Sequence, residues 1–588
     1  MPEADTGFDA AATEARLRLP LVPREDGVFR LGLVLNGTVS AGAWTAGALD
    51  FLVEALDLWE DKKREDRERG DGRPTVPDHE MRLGVVGGAS GGGVCAALLA
   101  RAAGWDFPHA TDAGAKSNRS NPFWRAWVEE LDMARMLDPS DLSAPGSVPA
   151  SLLSGAAVEA AAGVVLGWPN GDMRPRRRAW LADPLRVALT LTNLRGVPYR
   201  IDFGPDGAGR SRSSHYVDHA DHALFAFPTG EGGGADGAPG LRGDECPVLG
   251  PADWERFSEF TKATSAFPGC FPARRLRRPV ADYDWRGVVL PGEKGQPPRI
   301  ALRRPAWDAL DPPVRRDLPY GFDCVDGGAL NNQPVELVRT ALSGLGGSNP
   351  RDPKEADAAV LLLDPCAAVP RCDPPPPVER DMLGVLGGLA AAWMDQGRFA
   401  TSDLLLALDP DVSSRFLLTA RRERDGKQRH GGAALATGGM GAFLGFFGRE
   451  LRVHDYLMGR ENCRYFLMHD FVLHEDNPVF RGFAARHPGV AEEYRPCPGH
   501  GDWLPIVPVA EHLRVPRLLP PWPRAAVDPA NLSEPLEERF GLLLRRLLDH
   551  HGVDIPLDGL LVDWIAARKL ARAMEARLRE ALESGALN

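Results

Sequence analysis

Leu83-Gly84-Val85-Val86-Gly87-Gly88-Ala89-Ser90-Gly91-Gly92 is the stretch on which the fold turns. Its first five residues are a short apolar run of the kind a sheet buries, and a helical pattern from Gly91 to Ala103 follows without a linker. A strand passing straight into a helix through small residues predicts a sharp turn with the Ser90 hydroxyl exposed at its tip. One unit upstream the same form appears. Phe29 to Leu35 is apolar, Asn36-Gly37 breaks it, and an Ala/Leu/Trp pattern from Gly42 to Trp59 follows at helical spacing. Two strand-then-helix units in succession predict an α/β protein centred on a parallel sheet.

Farther out the pattern predicts a charged linker over 61–78 and an irregular helical insertion over about 104–182, interrupted by Pro139, Pro145 and Pro149. Strands are expected at 185–194, 198–203 and 222–227, with Gly-rich loops at 204–214 and 229–250. Trp254 to Ser265 and Pro334 to Leu345 read as helices, and Ala358 to Leu363 as a strand. Pro374 to Pro377 resembles a linker, and the chain beyond it is mostly helical. The expected division is an N-terminal tail (1–28), a catalytic domain (29–370) and a helical C-terminal extension (371–588).

The 588 residues carry a formal charge of −12, 44% hydrophobic and 26% charged residues, which is a globular composition and excludes collagen-like and wholly disordered chains. The acidic balance argues against nucleic acid as a partner. Basic residues are 61 Arg against 8 Lys, a coding bias more than a surface chemistry. None of the eight cysteines forms a C-x-x-C pair, so reduced thiols and no structural zinc are expected. His215, His219 and His222 share one face only on a helix, and they lie between strand-like runs, so they read as hairpin histidines and no metal or cofactor is expected. The N-terminus has no basic segment followed by an apolar run, so the expected location is the cytoplasm, with peripheral contact at the inner face of the membrane. The uncharged stretch 431–448 is too rich in glycine to span a bilayer, although Met440 to Phe447 is apolar enough to touch one or to pack on a neighbouring helix.

Gly88-Ala89-Ser90-Gly91-Gly92 fits G-x-S-x-G, which places a serine hydroxyl at a helix N-terminus, where the dipole favours a developing alkoxide. The turn Asn36-Gly37-Thr38-Val39-Ser40-Ala41-Gly42 offers backbone amides at another helix start, an array suited to an oxyanion. A base is offered by Asp326 in Val325-Asp326-Gly327-Gly328-Ala329-Leu330-Asn331-Asn332-Gln333-Pro334, whose glycines permit close approach to another loop.

These three segments, with Ala263-Thr264-Ser265-Ala266-Phe267-Pro268-Gly269-Cys270-Phe271-Pro272 as a fourth, resemble the patatin-like phospholipases in order and spacing over roughly residues 29–365. Arg449 to Asp470, with His454-Asp455 and Gly459-Arg460-x-Asn462, resembles the extension of longer bacterial members and reads as structural. The resemblance implies a three-layer fold and a serine acyl hydrolase acting on lipid or phospholipid esters, with Ser90 as nucleophile, Asp326 as its partner in a dyad, Gly88 and Gly92 shaping the elbow, and Gly327 and Gly328 completing the D-G-G motif. It places the oxyanion hole at Gly37, Thr38 and Val39. The family's D-G-G-G-x-R/K-G is altered here, losing two glycines and the cation, and a positive φ would strain Thr38 or Val39. Arg274, Arg275, Arg277 and Arg278, next to Phe267 and Phe271, would suit an anionic lipid headgroup. A carboxylate base further predicts activity persisting below pH 6. Two rival readings remain: an α/β-hydrolase-type esterase with a downstream His base, and a lipid-binding or regulatory protein on the same fold.

Overall fold

Eight residues of strand, Val28–Leu35 (β1), apolar but for Arg30, lie within the sheet and are buried along their whole length. The computed structural model describes residues 10–582 with gaps, the longest being 230–253, most of 368–408, and 552–567. The expected Pro374 to Pro377 linker lies outside the described residues. Beside β1 run Glu80–Gly88 (β2) and Ala358–Leu363 (β7), both parallel to it. Leu181–Pro205 (β3) continues parallel beyond β2, and Arg415–Leu418 (β8) lies parallel on the far side of β7. Ser211–Phe227 (β4) and Tyr320–Asp326 (β6) pair antiparallel with β3, and Arg274–Arg278 (β5) pairs antiparallel with β6. The sheet order is therefore β8-β7-β1-β2-β3-β6-β5, with β4 paired to β3, a mostly parallel α/β sheet.

Alternation along the strands sends side chains to both faces, and helices cover each. Val34, Val85, Val360 and Leu362 pack against Val338 and Leu342 of Val335–Ser343 (α5). Leu33, Leu35, Val86 and Leu361 point the other way, into the main core shared with Gly42–Arg69 (α1) and Ser90–Ala102 (α2). Strands buried on both faces read as unbroken apolar runs.

Three expectations need correction. The stretch 61–69 is not a linker, because α1 continues through it. Lys62–Glu65, Arg64–Asp61 and Arg69–Asp66 ion pairs one turn apart support this solvated half, and Gly70 ends it in the left-handed region. The strands expected at 185–194 and 198–203 are one strand, β3. Gly196, with φ 75, sits in an irregularity where Asn193 Oδ1 accepts from the Arg195 and Gly196 amides, so a break in the pattern is a bulge and not a loop. Ser211 to Ser214 likewise belong to β4.

The boundary expected near residue 370 is crossed by the sheet and the core. β8 comes from beyond it, and Arg449–His469 (α6) packs along α1 backbone to backbone. A Cβ at Gly47 would stand 1.9 Å from the Tyr456 carbonyl oxygen, and one at Gly459 would stand 2.0 Å from that of Trp44. Arg460 forms a buried ion pair with Asp50 and another with Glu54, and Trp44 Nε1 donates to Asn462 Oδ1 at 2.9 Å. Among the described residues no helix is long and apolar enough to cross a membrane.

Candidate active site

Ser90 opens α2 directly after β2. Ala89 before it is extended, but Ser90 itself has φ 51, a left-handed conformation that costs a residue bearing a Cβ about 1–2 kcal/mol. The neighbours enforce this. A Cβ at Gly92 would lie 2.1 Å from the Leu35 carbonyl oxygen and one at Gly88 2.6 Å from that of Gly92, so the elbow closes only with glycine at both places. The Ser90 amide donates to Thr264 Oγ1 at 3.2 Å, which ties the elbow to the end of Trp254–Thr264 (α4).

Asp326 ends β6 and is 2% exposed. Its backbone is held from two sides: its amide donates to the Ala266 carbonyl at 2.9 Å, and its carbonyl accepts from Thr192 Oγ1 at 2.8 Å. Its Oδ1 accepts from the Gly328 amide at 2.7 Å, while Gly327 fits against β3, where a Cβ would come within 2.2 Å of the Thr190 carbonyl oxygen. Burial pushes the carboxyl up to about 7, against the opposing pull of the Ser90 hydroxyl and the Gly328 amide. The Ser90 hydroxyl thus influences the carboxylate, while Asp326 Oδ2 has no hydrogen bond of ordinary geometry. The expectation of activity below pH 6 assumed a carboxyl of ordinary pKa, whereas burial moves the Asp326 titration toward neutrality.

The turn after β1 reaches the same place. Gly37 packs on Ser90, since a Cβ there would stand 2.9 Å from Ser90 Cβ and 2.1 Å from Asn332 Oδ1. Its amide turns toward the Asn332 carbonyl at 3.4 Å, so Gly37 is a packing residue more than a donor. Val39 has φ 49, a strained value for a β-branched residue, and Thr38 is buried with Oγ1 unpartnered. Sequence reasoning missed Asn332, whose Nδ2 donates to Asn36 Oδ1 at 2.7 Å and so holds the turn to the loop after Asp326. It also missed that one short block holds both Ser90 and Asp326, Thr264 receiving from the Ser90 amide and Ala266 from the Asp326 amide. The segment itself was legible as the fourth motif.

A narrow cavity of ≈ 50 Å³ opens beside Ser90. Its walls are almost wholly apolar: Val39, Val94, Trp127, Leu131 and Met136, then Val158, Ala161, Ala162 and Val165 of Ala156–Leu166 (α3), then Phe267, Phe271, Phe443 and Phe446. Lys262 also lines it but is paired with Glu159 and Glu259. No histidine stands among the lining residues, and among the described residues none bonds Asp326.

The arginine cluster divides by strand parity. Arg275 and Arg277 face solvent, whereas Arg278 is buried between Asp221 and Asp282, and Arg274 is tied to Glu159 at 2.6 Å. Arg278 and Arg274 are therefore committed inside the protein, which removes half of the expected headgroup cluster. His215, His219 and His222 lie on β4, where strand alternation separates 215 and 219 from 222. His219 Nδ1 bonds the Asn193 carbonyl at 2.7 Å, and burial beside Arg286 holds His222 well below its ordinary pKa.

No family model matches the chain. It is similar to a curated protein of Sinorhizobium fredii (strain NBRC 101917 / NGR234), described as the uncharacterized protein y4iI, at 29% identity over 553 residues. The match covers 88% of this chain and 74% of that one, so it runs on both sides of residue 370.

Proposed function

We propose that the protein is a serine acyl hydrolase of patatin-like architecture that cleaves acyl esters of membrane lipids. The observation that carries this reading is the pairing of a serine on a strained left-handed elbow with a buried carboxylate whose pKa is pushed up to about 7. A carboxylate poised near neutrality is suited to taking a hydroxyl proton.

In the first half-reaction Ser90 Oγ attacks the ester carbonyl carbon as Asp326 takes its proton. The carbonyl oxygen becomes an oxyanion, held by the amides of Thr38 and Val39 and by the positive end of α2. Collapse breaks the bond to the alcohol, which leaves with the proton returned by Asp326. Water, deprotonated by the same carboxylate, then attacks the acyl-Ser90 ester, and the fatty acid leaves as Ser90 regains its proton. The apolar cavity supports an acyl chain as the group bound, since each methylene buried contributes about 0.8 kcal/mol. The reading carries with it a location in the cytoplasm with transient contact at the membrane surface.

The test is reaction with a fluorophosphonate probe followed by peptide mapping. Labelling at Ser90, lost in both Ser90→Ala and Asp326→Asn, is the expected result. A folded protein that never labels favours the lipid-binding alternative. Labelling that survives Asp326→Asn removes Asp326 as the base and revives the histidine-based esterase.

A further inference from the structure

Two walls of the Ser90 cavity come from far along the chain. Phe443 and Phe446 line it, although they belong to the glycine-rich stretch whose sequence suggested a bilayer contact or a helix neighbour. Met440, Gly441 and Ala442 have φ values of 54, 62 and 69, three left-handed residues in succession that reverse the chain just before Phe443. The Phe443 ring then stands edge-on to Phe267 with centroids 5.9 Å apart, and Phe446 stands edge-on to Phe443 at 5.9 Å. Phe267 follows Ala266, the residue that receives the Asp326 amide, so the aromatic row starts beside the dyad.

The strap bearing these rings is fixed at both ends. Ser40, next to Val39 in the oxyanion turn, donates its hydroxyl to the Ala442 carbonyl and accepts from the Gly445 amide at 3.1 Å. A Cβ at Gly445 would come within 2.5 Å of that hydroxyl oxygen, so the joint admits only glycine. From α6, Arg452 Nη1 donates to the carbonyls of Gly445 at 2.8 Å and Phe446 at 3.2 Å. Pinned this way, the rings form a rigid boundary to the cavity. A rigid apolar boundary in contact with the bound chain discriminates by length and bulk, because a methylene that does not fit has no room to turn aside.

We infer that Phe443 and Phe446 are the specificity-determining residues of the Ser90 site, setting the length and bulk of acyl chain it accepts, and that Ser40 is the positioning residue that holds their strap. This rests on the acyl-ester reading above. The long C-terminal part of the chain thereby completes the site that the first 370 residues begin.

The test compares kcat/KM for p-nitrophenyl butyrate and dodecanoate in the full-length protein, the Phe443→Ala/Phe446→Ala double variant, Phe446→Trp and Ser40→Ala. The dodecanoate-to-butyrate ratio rises about tenfold or more in the double variant, rises less in Ser40→Ala, and falls in Phe446→Trp. A proportional loss on both esters, with the ratio unchanged, means the rings serve only folding and overturns the inference. If the unsubstituted protein hydrolyses neither ester, it is the acyl-hydrolase reading that fails. The wall is then read from calorimetric binding of octanoate and dodecanoate, where an unaltered preference in the double variant overturns it.

Discussion

At Asp326 the same burial that shapes the chemistry sets two opposite pH dependences. In the proposed mechanism the carboxylate must be ionised to accept the Ser90 proton, so turnover on a soluble ester should fall as pH drops through about 7, with a single ionisation on the acid limb. A limb centred near 4 would mean that Asp326 is solvated when substrate is bound. Stability runs the other way. A carboxyl raised above its unfolded value contributes stability in full below about pH 4, and this is lost as pH rises through about 7. Asp326→Asn keeps the shape and removes the ionisation, so it should raise the melting temperature at pH 8, by the equivalent of about 1–3 kcal/mol, and change it little at pH 5. Calorimetry at the two values checks this, and an Asn variant that melts lower at pH 8 refutes the stored cost. Sequence alone could name Asp326 from its glycine-flanked motif, but not its titration, because the shift comes from strands and loops that close over it only in the folded chain.

At the scale of the element, β5 shows why four arginines in five residues do not make one patch. Alternation puts Arg275 and Arg277 outside and hands Arg278 to Asp221 and Asp282. Replacing Arg275 and Arg277 by Gln should leave soluble-ester turnover and the melt nearly unchanged, while weakening sedimentation with anionic vesicles several-fold, since basic residues near such a surface contribute about 1 kcal/mol each. Equal sedimentation would mean that this edge does not meet the membrane. Arg278→Gln should instead cost about 3–5 kcal/mol in urea unfolding, because it strands the buried Asp282 carboxylate and leaves Asp221 with Arg286 as its remaining arginine. The elements that were legible in the sequence share a physical cause. Ala358 to Leu363 and the turn at Ser90 are continuous apolar runs ended by small residues, signals carried by local residues. The charged half of α1 was misread because its support is ion pairing one turn apart, which leaves no apolar period. β3 was split because Gly196 looks like a break unless its partner strand is known.

For the whole molecule the sequence suggested a catalytic domain ending near 370 and a separable extension, and the packing of α6 on α1 argues that the two are one folding unit. Burial opposes the charge on Asp50, but Arg460 and His109 hold its carboxyl down to about 2. A contact between residues 50 and 460 leaves no trace in local periodicity, which is why the boundary was drawn where composition changes. Chain ended at residue 370 would lose β8 from the sheet edge, leave Asp50 without Arg460, and open the helix face at Gly47 that fits the α6 backbone. Such a fragment should show no cooperative melt by circular dichroism and no probe labelling at Ser90. In the intact chain Arg460→Ala should cost about 3–5 kcal/mol near pH 7, since the buried Asp50 carboxylate loses its arginine and keeps His109, Asn121 and the Ala110 amide. The sign of its pH dependence follows from the depressed pKa: the contribution of the pair is present above about pH 4 and is lost as pH falls through about 2, so the gap between the variant and the parent should narrow in acid. A 1–370 fragment that melts cooperatively and labels at Ser90 would restore the boundary, and it would reduce the aromatic strap of residues 439–447 from a wall of the site to an attachment upon it.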